Sequence, residues 1–449
     1  MTQDHSALYY HRESTRHFLY SKAEVDDQPK KHIRKAPSSV QMAVQSVYPG
    51  LLSGHSFLEH SAQQLSSAST CISIIIQMDA DDNLDSQQTT HAQTAAHQTA
   101  AKLIDELSMK HSGIWGLVDS SLYGVFFTEK SAPACLKLIH KFQEILKNQT
   151  GMTASAGLAE CSRLNHKPAE MLNRALKALD HASFFGPNSA VVFDAVSLNI
   201  SGDKLFDKGD IKESIEEFKQ ALKLDPSNTN VHNSLGVCYG LQGDYKKAKL
   251  EFNAVIKLDP TEVMSWYNLG FTNMLEGKRQ KALDLFLKAN TINQDVFEIA
   301  FQTGRLLMEM SQPQRGENFL EHASRLDPQS AAVYRYLGEC YTSTGRIKDA
   351  IAAYKKAVKQ NPSDAASLSA LGCLFDEQGE NPEISLMFCE ESVKLSPENG
   401  LFRYRLGQLY FKQNRLDDAL KQFKKADSLG HSASEYIDKI KNQRPAKGL

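Results

Sequence analysis

The chain reads as α/β plus all-α: an α/β domain over residues 46–194 followed by a right-handed solenoid of paired helices over residues 195–430. Two observations carry this division. Between Val47 and Asp194, short β-branched or apolar runs alternate with longer helical stretches, the pattern of helices layered on a sheet. From Gly202 onward, glycine returns every 34 residues, at Gly236, Gly270, Gly304, Gly338 and Gly372, then at Gly407 after a slip of one residue. A length of 449 residues agrees, because a single hydrophobic core rarely serves so long a chain.

Composition excludes several classes of function. Hydrophobic residues make up 41% and charged residues 23%, ordinary values for a folded globular protein. A formal charge of −2 supplies no overall field for nucleic acid or acidic lipid, so neither is expected as a partner. The seven cysteines (Cys71, Cys135, Cys161, Cys238, Cys340, Cys373, Cys389) are odd in number, scattered and never spaced as C-x-x-C. A disulfide framework and a zinc site are both unsignalled, and a reducing, cytoplasmic compartment fits. Residues 1–45 are polar and read as a flexible tail, with no secretory apolar core from Met1 to Lys35. The most apolar stretch, Ile72 to Met78, is too short to span a bilayer.

Within the first domain, strands are predicted at Cys71–Met78, Gly113–Val118, Leu122–Thr128, Met152–Ala159 and Ala190–Phe193. Helices are predicted at Phe57–Leu65, Thr89–His111, Ala132–Lys147 and Pro168–Phe185. Along this order, Gly50-Leu51-Leu52-Ser53 with Phe57, the run Ile74 to Asp81, Ser155-Ala156-Gly157-Leu158-Ala159, and Leu172 to Asp194 stand as four motif-like segments. Together they resemble the GGDEF family of diguanylate cyclases, in its G-L-x-N opening, first strand ending in D-x-D, S-x-G-x-A segment and closing helix, turn and strand.

That resemblance implies a metal-dependent chemistry on a nucleoside triphosphate, with two carboxylates, a glycine-rich hairpin and a phosphate-binding lysine. Most of these parts are missing here. The hairpin falls at Asp119-Ser120-Ser121-Leu122-Tyr123, without the glycines and acidic pair of the family motif. Asn83-Leu84 stands where phenylalanine and lysine are usual, and Ser183 where the closing helix offers its lysine. Only Asp79 remains at a metal-binding position, and one carboxylate holds a hard divalent ion weakly. A catalytically inactive domain without cofactor is therefore expected, with vestigial GTP and Mg²⁺ binding at Asp79 as the alternative. The related class III nucleotide cyclases would also need paired aspartates. Binding or homodimerisation is the role left to such a domain.

The 34-residue period carries further typed positions. Leu235-Gly236 with Tyr239, Ala248, Phe252 and Pro260 recurs as Leu337-Gly338 with Tyr341, Ala350, Tyr354 and Pro362. A glycine lets two helices approach, an alanine admits a neighbour, large rings fill the gaps and proline marks the turn. The pattern is that of the tetratricopeptide repeat (TPR), here in seven copies over residues 195–430, with a capping helix and tail over 431–449. Gln294, Asn273, Gly316 and Cys389 replace a proline, an aromatic, an alanine and an aromatic, so the third, fourth and sixth copies should pack more softly.

Such arrays imply a concave groove that holds a peptide or partner helix. Helical spacing directs positions three before and one, four or five after the repeat glycine into it, here Asn233, Tyr267, Phe271, Met274, Phe301, Arg305, Met308 and Arg335. Aromatics and methionines beside two arginines suit a segment with an apolar anchor and a carboxylate. Any of these rings can equally fill the space between adjacent helices. The expected function is a non-catalytic adaptor or scaffold in bacterial signalling, with a nucleotide-binding or weakly active cyclase as the alternative. The early histidines show no paired metal-site spacing, and the basic run Lys30–Lys35 is diluted by Asp26 and Asp27.

Overall fold

A computed structural model describes residues 38–66, 68–79, 88–119, 121–161 and 167–443. Asp81, Asn83, Leu84 and Lys30–Lys35 lie outside them. Five strands form one sheet: β1 (Cys71–Met78), β2 (Ile114–Leu117), β3 (Leu122–Thr128), β4 (Ala154–Cys161) and β5 (Ala190–Val192), in the order β2-β3-β1-β4-β5. β1 runs antiparallel to both neighbours, and β5 adds parallel to β4. The first four strands in chain order have the split β-α-β arrangement of ferredoxin-like domains.

Five helices accompany the sheet: α1 (Ser38–Val47), α2 (Gly54–Leu65), α3 (Gln88–Lys110), α4 (Ala132–Thr150) and α5 (Pro168–Ala182). β1 is apolar in both phases because both its faces are covered. Ile72, Ile74 and Ile76 share a core with Ala101 and Ile104 of α3 and with Ile139 and Phe142 of α4. Cys71 and Ile75 share a second core with Phe57 of α2 and Leu172, Ala175 and Leu179 of α5. Gly116 and Gly124 face each other across β2 and β3 and leave the slot that Phe57 fills. Residues 38–45, expected to belong to a flexible tail, form most of α1. Val44 of α1 is buried with Ala100 and Ala101 of α3, and that burial supports a helix of which half the residues are polar.

After β5, Asp194 caps the next helix: its Oδ1 accepts from the Ser197 backbone N–H at 2.8 Å and the Ser197 hydroxyl at 3.0 Å. Burial pushes this carboxyl up, but hydrogen bonds from His181 and Ser197 outweigh it and hold it below the usual carboxylate range. Seven helix pairs follow: α6 (Ala195–Lys208) with α7 (Ile211–Leu224), α8 (Thr229–Leu241) with α9 (Tyr245–Leu258), and α10 (Val263–Leu275) with α11 (Arg279–Ile292). Next come α12 (Phe297–Glu309) with α13 (Pro313–Leu326), α14 (Ala331–Ser343) with α15 (Ile347–Gln360), α16 (Ala365–Glu377) with α17 (Pro382–Leu395), and α18 (Gly400–Lys412) with α19 (Leu416–Ser428). A final helix, α20 (Ser434–Gln443), buries Ile440 against the last pair.

The 34-residue period has one packing cause. In each pair the second helix lays a side chain on the glycine of the first: Phe218 on Gly202, Phe252 on Gly236, Phe286 on Gly270, Leu320 on Gly304, Tyr354 on Gly338, Cys389 on Gly372 and Phe423 on Gly407. A Cβ at any of these glycines would come within 2.4–2.9 Å of that side chain. The slip in the sixth pair lies in the turn between its helices, where Asn381 caps α17 and Pro382 opens it. The chain divides into two compact units, one ending at Pro260 and the other starting at Thr261. The first holds the α/β domain and two helix pairs, the second five pairs and α20.

Candidate partner-binding groove

Asp79, the one residue that the GGDEF resemblance offers as a metal ligand, serves the fold. Asp79 ends β1, and the β1–β3 register sets it at the same end of the sheet as the Asp119 turn. Its Oδ1 accepts from the Ser155 hydroxyl at 2.7 Å and its Oδ2 from the Asn188 backbone N–H at 2.7 Å. Asn188 takes a positive φ of 64° there, and the Ser155 hydroxyl oxygen accepts from the Ser189 N–H at 3.3 Å. Asp119 is likewise engaged, closing its own turn through the Ser121 and Leu122 N–H groups at 2.7 and 3.0 Å. These residues do not fit the two-carboxylate metal and nucleotide site that the GGDEF resemblance implies. Among the described residues no group of three His, Cys, Asp or Glu is gathered around a metal position.

Asp79→Ala should therefore loosen the segment from Asn188 into β5. Two donors would lose a charged acceptor, a cost of about 2–3 kcal/mol. Hydrogen exchange at residues 188–192, with the urea midpoint of the domain, reads this directly, and unchanged values would reject the brace.

In the second unit, α12, α14 and α16 each touch the next first helix as well as their own partner, while successive second helices make no contact of that extent. These first helices therefore form the inner layer of the unit, on which Phe301, Arg305, Met308 and Arg335 lie. Tyr267 and Phe271 are fully buried, stacked on one another at 6.2 Å, with Tyr267 also 5.4 Å from Phe286. Phe301 is buried between Phe297 and Tyr336, with both ring centroids at 5.7 Å. Asn233, in the first unit, is buried too. These four belong to the packing between helices and not to an open surface, because burying a large ring gains more than lining a wet groove with it.

Met274, Arg305, Met308 and Arg335 stay partly exposed. The Arg305 Nη2 donates to Met274 Sδ at 3.4 Å, and its Nε lies 3.5 Å from a Glu309 oxygen without hydrogen-bond alignment. The Arg335 guanidinium sits 4.7 Å above the Tyr336 ring, with Glu339 and Asp364 oxygens at 3.8 and 3.7 Å. Neither guanidinium hydrogen-bonds an oxygen among the described residues, although their side chains are only 20% and 30% exposed. Close by, the Tyr267 hydroxyl is buried without a partner, and burial, with the charge of Glu298, raises its pKa. Burial also holds Glu339 above the usual carboxylate range, against the pull of Arg335 and with Asp364 adding to the rise.

Glu309 and Glu339 obey the same glycine-relative register that selects Arg305, so the signal for them is in the sequence. A search for ligand-facing cations passes over acids. Asp364 caps α16 and falls outside that register.

Paired helices locked at a repeat glycine, with an inner layer of first helices, define a TPR array for protein–protein interaction. Residues 189–440 match the Cilia and flagella-associated protein 70 C-terminal domain, and the chain belongs to that family. This membership lends no support to the expectation of a bacterial signalling protein. Hsp70-Hsp90 organizing protein 1 of Glycine max is 24% identical over 162 residues, covering 36% of this chain and 27% of that protein. BBSome complex member BBS4 of Bos taurus is 28% identical over 102 residues, covering 23% of this chain and 20% of that protein. The chain thus spans only about a quarter of the length of the curated relatives it matches. A solved tetratricopeptide repeat protein from Parabacteroides merdae shares 17% identity at a TM-score of 0.41, covering 55% of this chain and 97% of that one. Among the described residues no helix is long and apolar enough to cross a membrane.

Proposed function

We propose that the chain is an adaptor of cilia or flagella whose second unit captures an acidic segment of a protein partner across Arg305 and Arg335. One observation carries the reading. Two partly buried guanidinium groups, with five N–H donors each, find a thioether, an aromatic face and misaligned or distant carboxylates, but no hydrogen-bonded oxygen. A ligand carboxylate would supply the planar, charge-assisted acceptor for which a guanidinium is shaped. Met274 and Met308 beside them suit a neighbouring apolar side chain.

The test compares proteins retained from ciliated cells by the full chain and by Arg305→Ala with Arg335→Ala. Loss of charge-assisted hydrogen bonds at about 1.5–3 kcal/mol each should weaken capture at least about tenfold. Equal capture would overturn the reading, provided circular dichroism shows the variant folded.

The α/β domain we infer to be a GGDEF-like module without catalysis. Support comes from Asp79, both of whose oxygens brace the fold, and from the self-closed Asp119 turn. Incubation with GTP and Mg²⁺ should yield no cyclic di-GMP. Product that disappears in Asp79→Ala would reinstate an enzyme.

A further inference from the structure

Six helix pairs set a phenylalanine, leucine or tyrosine on the repeat glycine, and the sixth pair in order sets Cys389 there. Its sulfur presses so closely on α16 that a Cβ on Gly372 would lie 2.4 Å from it. The next residue is Cys373, which packs against the same apolar cluster. Cys389 thus lies against the turn of α16 that runs from Ser369 through Gly372 to Cys373. Cys389 is fully buried, with its Sγ 3.8 Å from the Ser369 carbonyl oxygen. Cys373 is partly exposed, one position after its repeat glycine and so on the groove side. Arg405 approaches the same spot and donates to the Ser369 hydroxyl at 3.2 Å.

We propose that Cys373 and Cys389 are an oxidative modification site, with Cys373 the attacking thiol and Cys389 the resolving one. Hydrogen peroxide is the oxidant. The Cys373 thiolate attacks one peroxide oxygen, the O–O bond breaks, and the other oxygen leaves as hydroxide that takes up a proton to become water. Cys373 is then a sulfenic acid. The Cys389 sulfur attacks the Cys373 sulfur, the S–O bond breaks, and the sulfenic oxygen leaves with the thiol proton as a second water. Two thiols have lost two electrons to one peroxide, and a small dithiol returns them.

The asymmetry between the thiols agrees with these roles. The neighbouring Cys389 thiol lowers the Cys373 pKa, and Arg405 lowers it further against the opposing effect of burial. The nearness of Cys373, with burial, raises that of Cys389. Elsewhere burial alone dominates, pushing Cys135 and Cys340 up to about 11 and Cys238 to about 12. Exposure and thiolate character select the cysteine that oxidises, and an adjacent thiol diverts the product to a reversible disulfide.

The experiment treats the full chain with dilute hydrogen peroxide and maps cysteines by mass spectrometry without reduction. A Cys373–Cys389 linkage that a dithiol reverses is expected. Alkylation of Cys373 at pH 7 should also run at least about tenfold faster than that of Cys135, Cys238 or Cys340. In Cys389→Ser, Cys373 should stop at the sulfenic acid and be trapped by dimedone. In Cys373→Ser, Cys389 should remain unmodified. Wild-type protein in which Cys373 stays reduced, over-oxidises without linking, or pairs with another cysteine overturns the proposal. Because Cys373 is only partly buried, Cys373→Ser and the wild-type map decide the matter even if Cys389→Ser fails to fold.

Discussion

Gly157→Ala is expected to cost about 3 kcal/mol or more, and Gly157→Val to leave the α/β domain unfolded. Overpacked cores ordinarily lose about 1–3 kcal/mol, because side chains rotate out of the way. At Gly157 the obstacle is backbone. A Cβ there would lie 2.0 Å from the Ala175 carbonyl oxygen and 2.2 Å from the Leu179 nitrogen, both within α5. Neither atom can move without shifting the whole helix from β4, which would open the core formed by Ile75, Leu172 and Leu179. Urea unfolding followed by far-ultraviolet circular dichroism measures the loss. Gly151→Ala is the comparison, since a Cβ at Gly151 meets no atom within 4 Å and only the positive φ of 73° resists it. Equal, small losses at both positions would show that α5 floats freely on the sheet.

Acidification from pH 7 toward 4.5 should destabilise the α/β domain through His97. This side chain is buried, with its Nδ1 2.8 Å from the Tyr123 hydroxyl. Burial lowers its pKa from 6.5 to about 4. An unfolded chain therefore takes up the proton first as the pH falls, so stability is full above about pH 6.5 and is lost progressively down to about 4. The shift corresponds to about 3 kcal/mol across that window. His232 acts with the opposite sign. Its hydrogen bond to Glu251, against the penalty of burial, raises its pKa, so its contribution is present below 6.5 and lost as the pH climbs through the raised value. Urea midpoints between pH 7.5 and 4.5 should flatten in His97→Gln, and an unaltered slope would assign acid sensitivity to other groups.

Elements whose cause is local or strictly periodic are legible in the residues themselves. Strands β1 and β3 coincide with Cys71–Met78 and Leu122–Thr128 because strands buried on both faces read as unbroken apolar runs. The repeats are legible because a glycine pressed by a side chain of the partner helix leaves no room for a Cβ, which leaves a regular mark. Site residues are less so. Helical spacing places Tyr267 and Arg305 on neighbouring first helices, yet a ring gains by turning inward and a guanidinium by staying at the rim. Asp79 is a harder case. Its partners Ser155 and Asn188 lie 76 and 109 residues away, and no local pattern announces a bond of that reach. Helix α1 escapes notice because its support comes from α3 and not from its own composition.

The junction after β5 bears on how the molecule can be handled and multiplied. Lys177 of α5 bonds Glu217 of α7 at 2.6 Å, and Asp180 of α5 bonds Lys204 of α6 at 2.6 Å. The sheet domain thus acts as a bookend for the first helix pair, as α20 does for the last. Stacked repeats left open at one side tend to add further copies end to end, whereas this chain offers no sticky side at its first pair. A fragment starting at Ala195 would uncover that side and be prone to fibre-like association, so a well-behaved shorter version has to keep α5 and the strands beneath it.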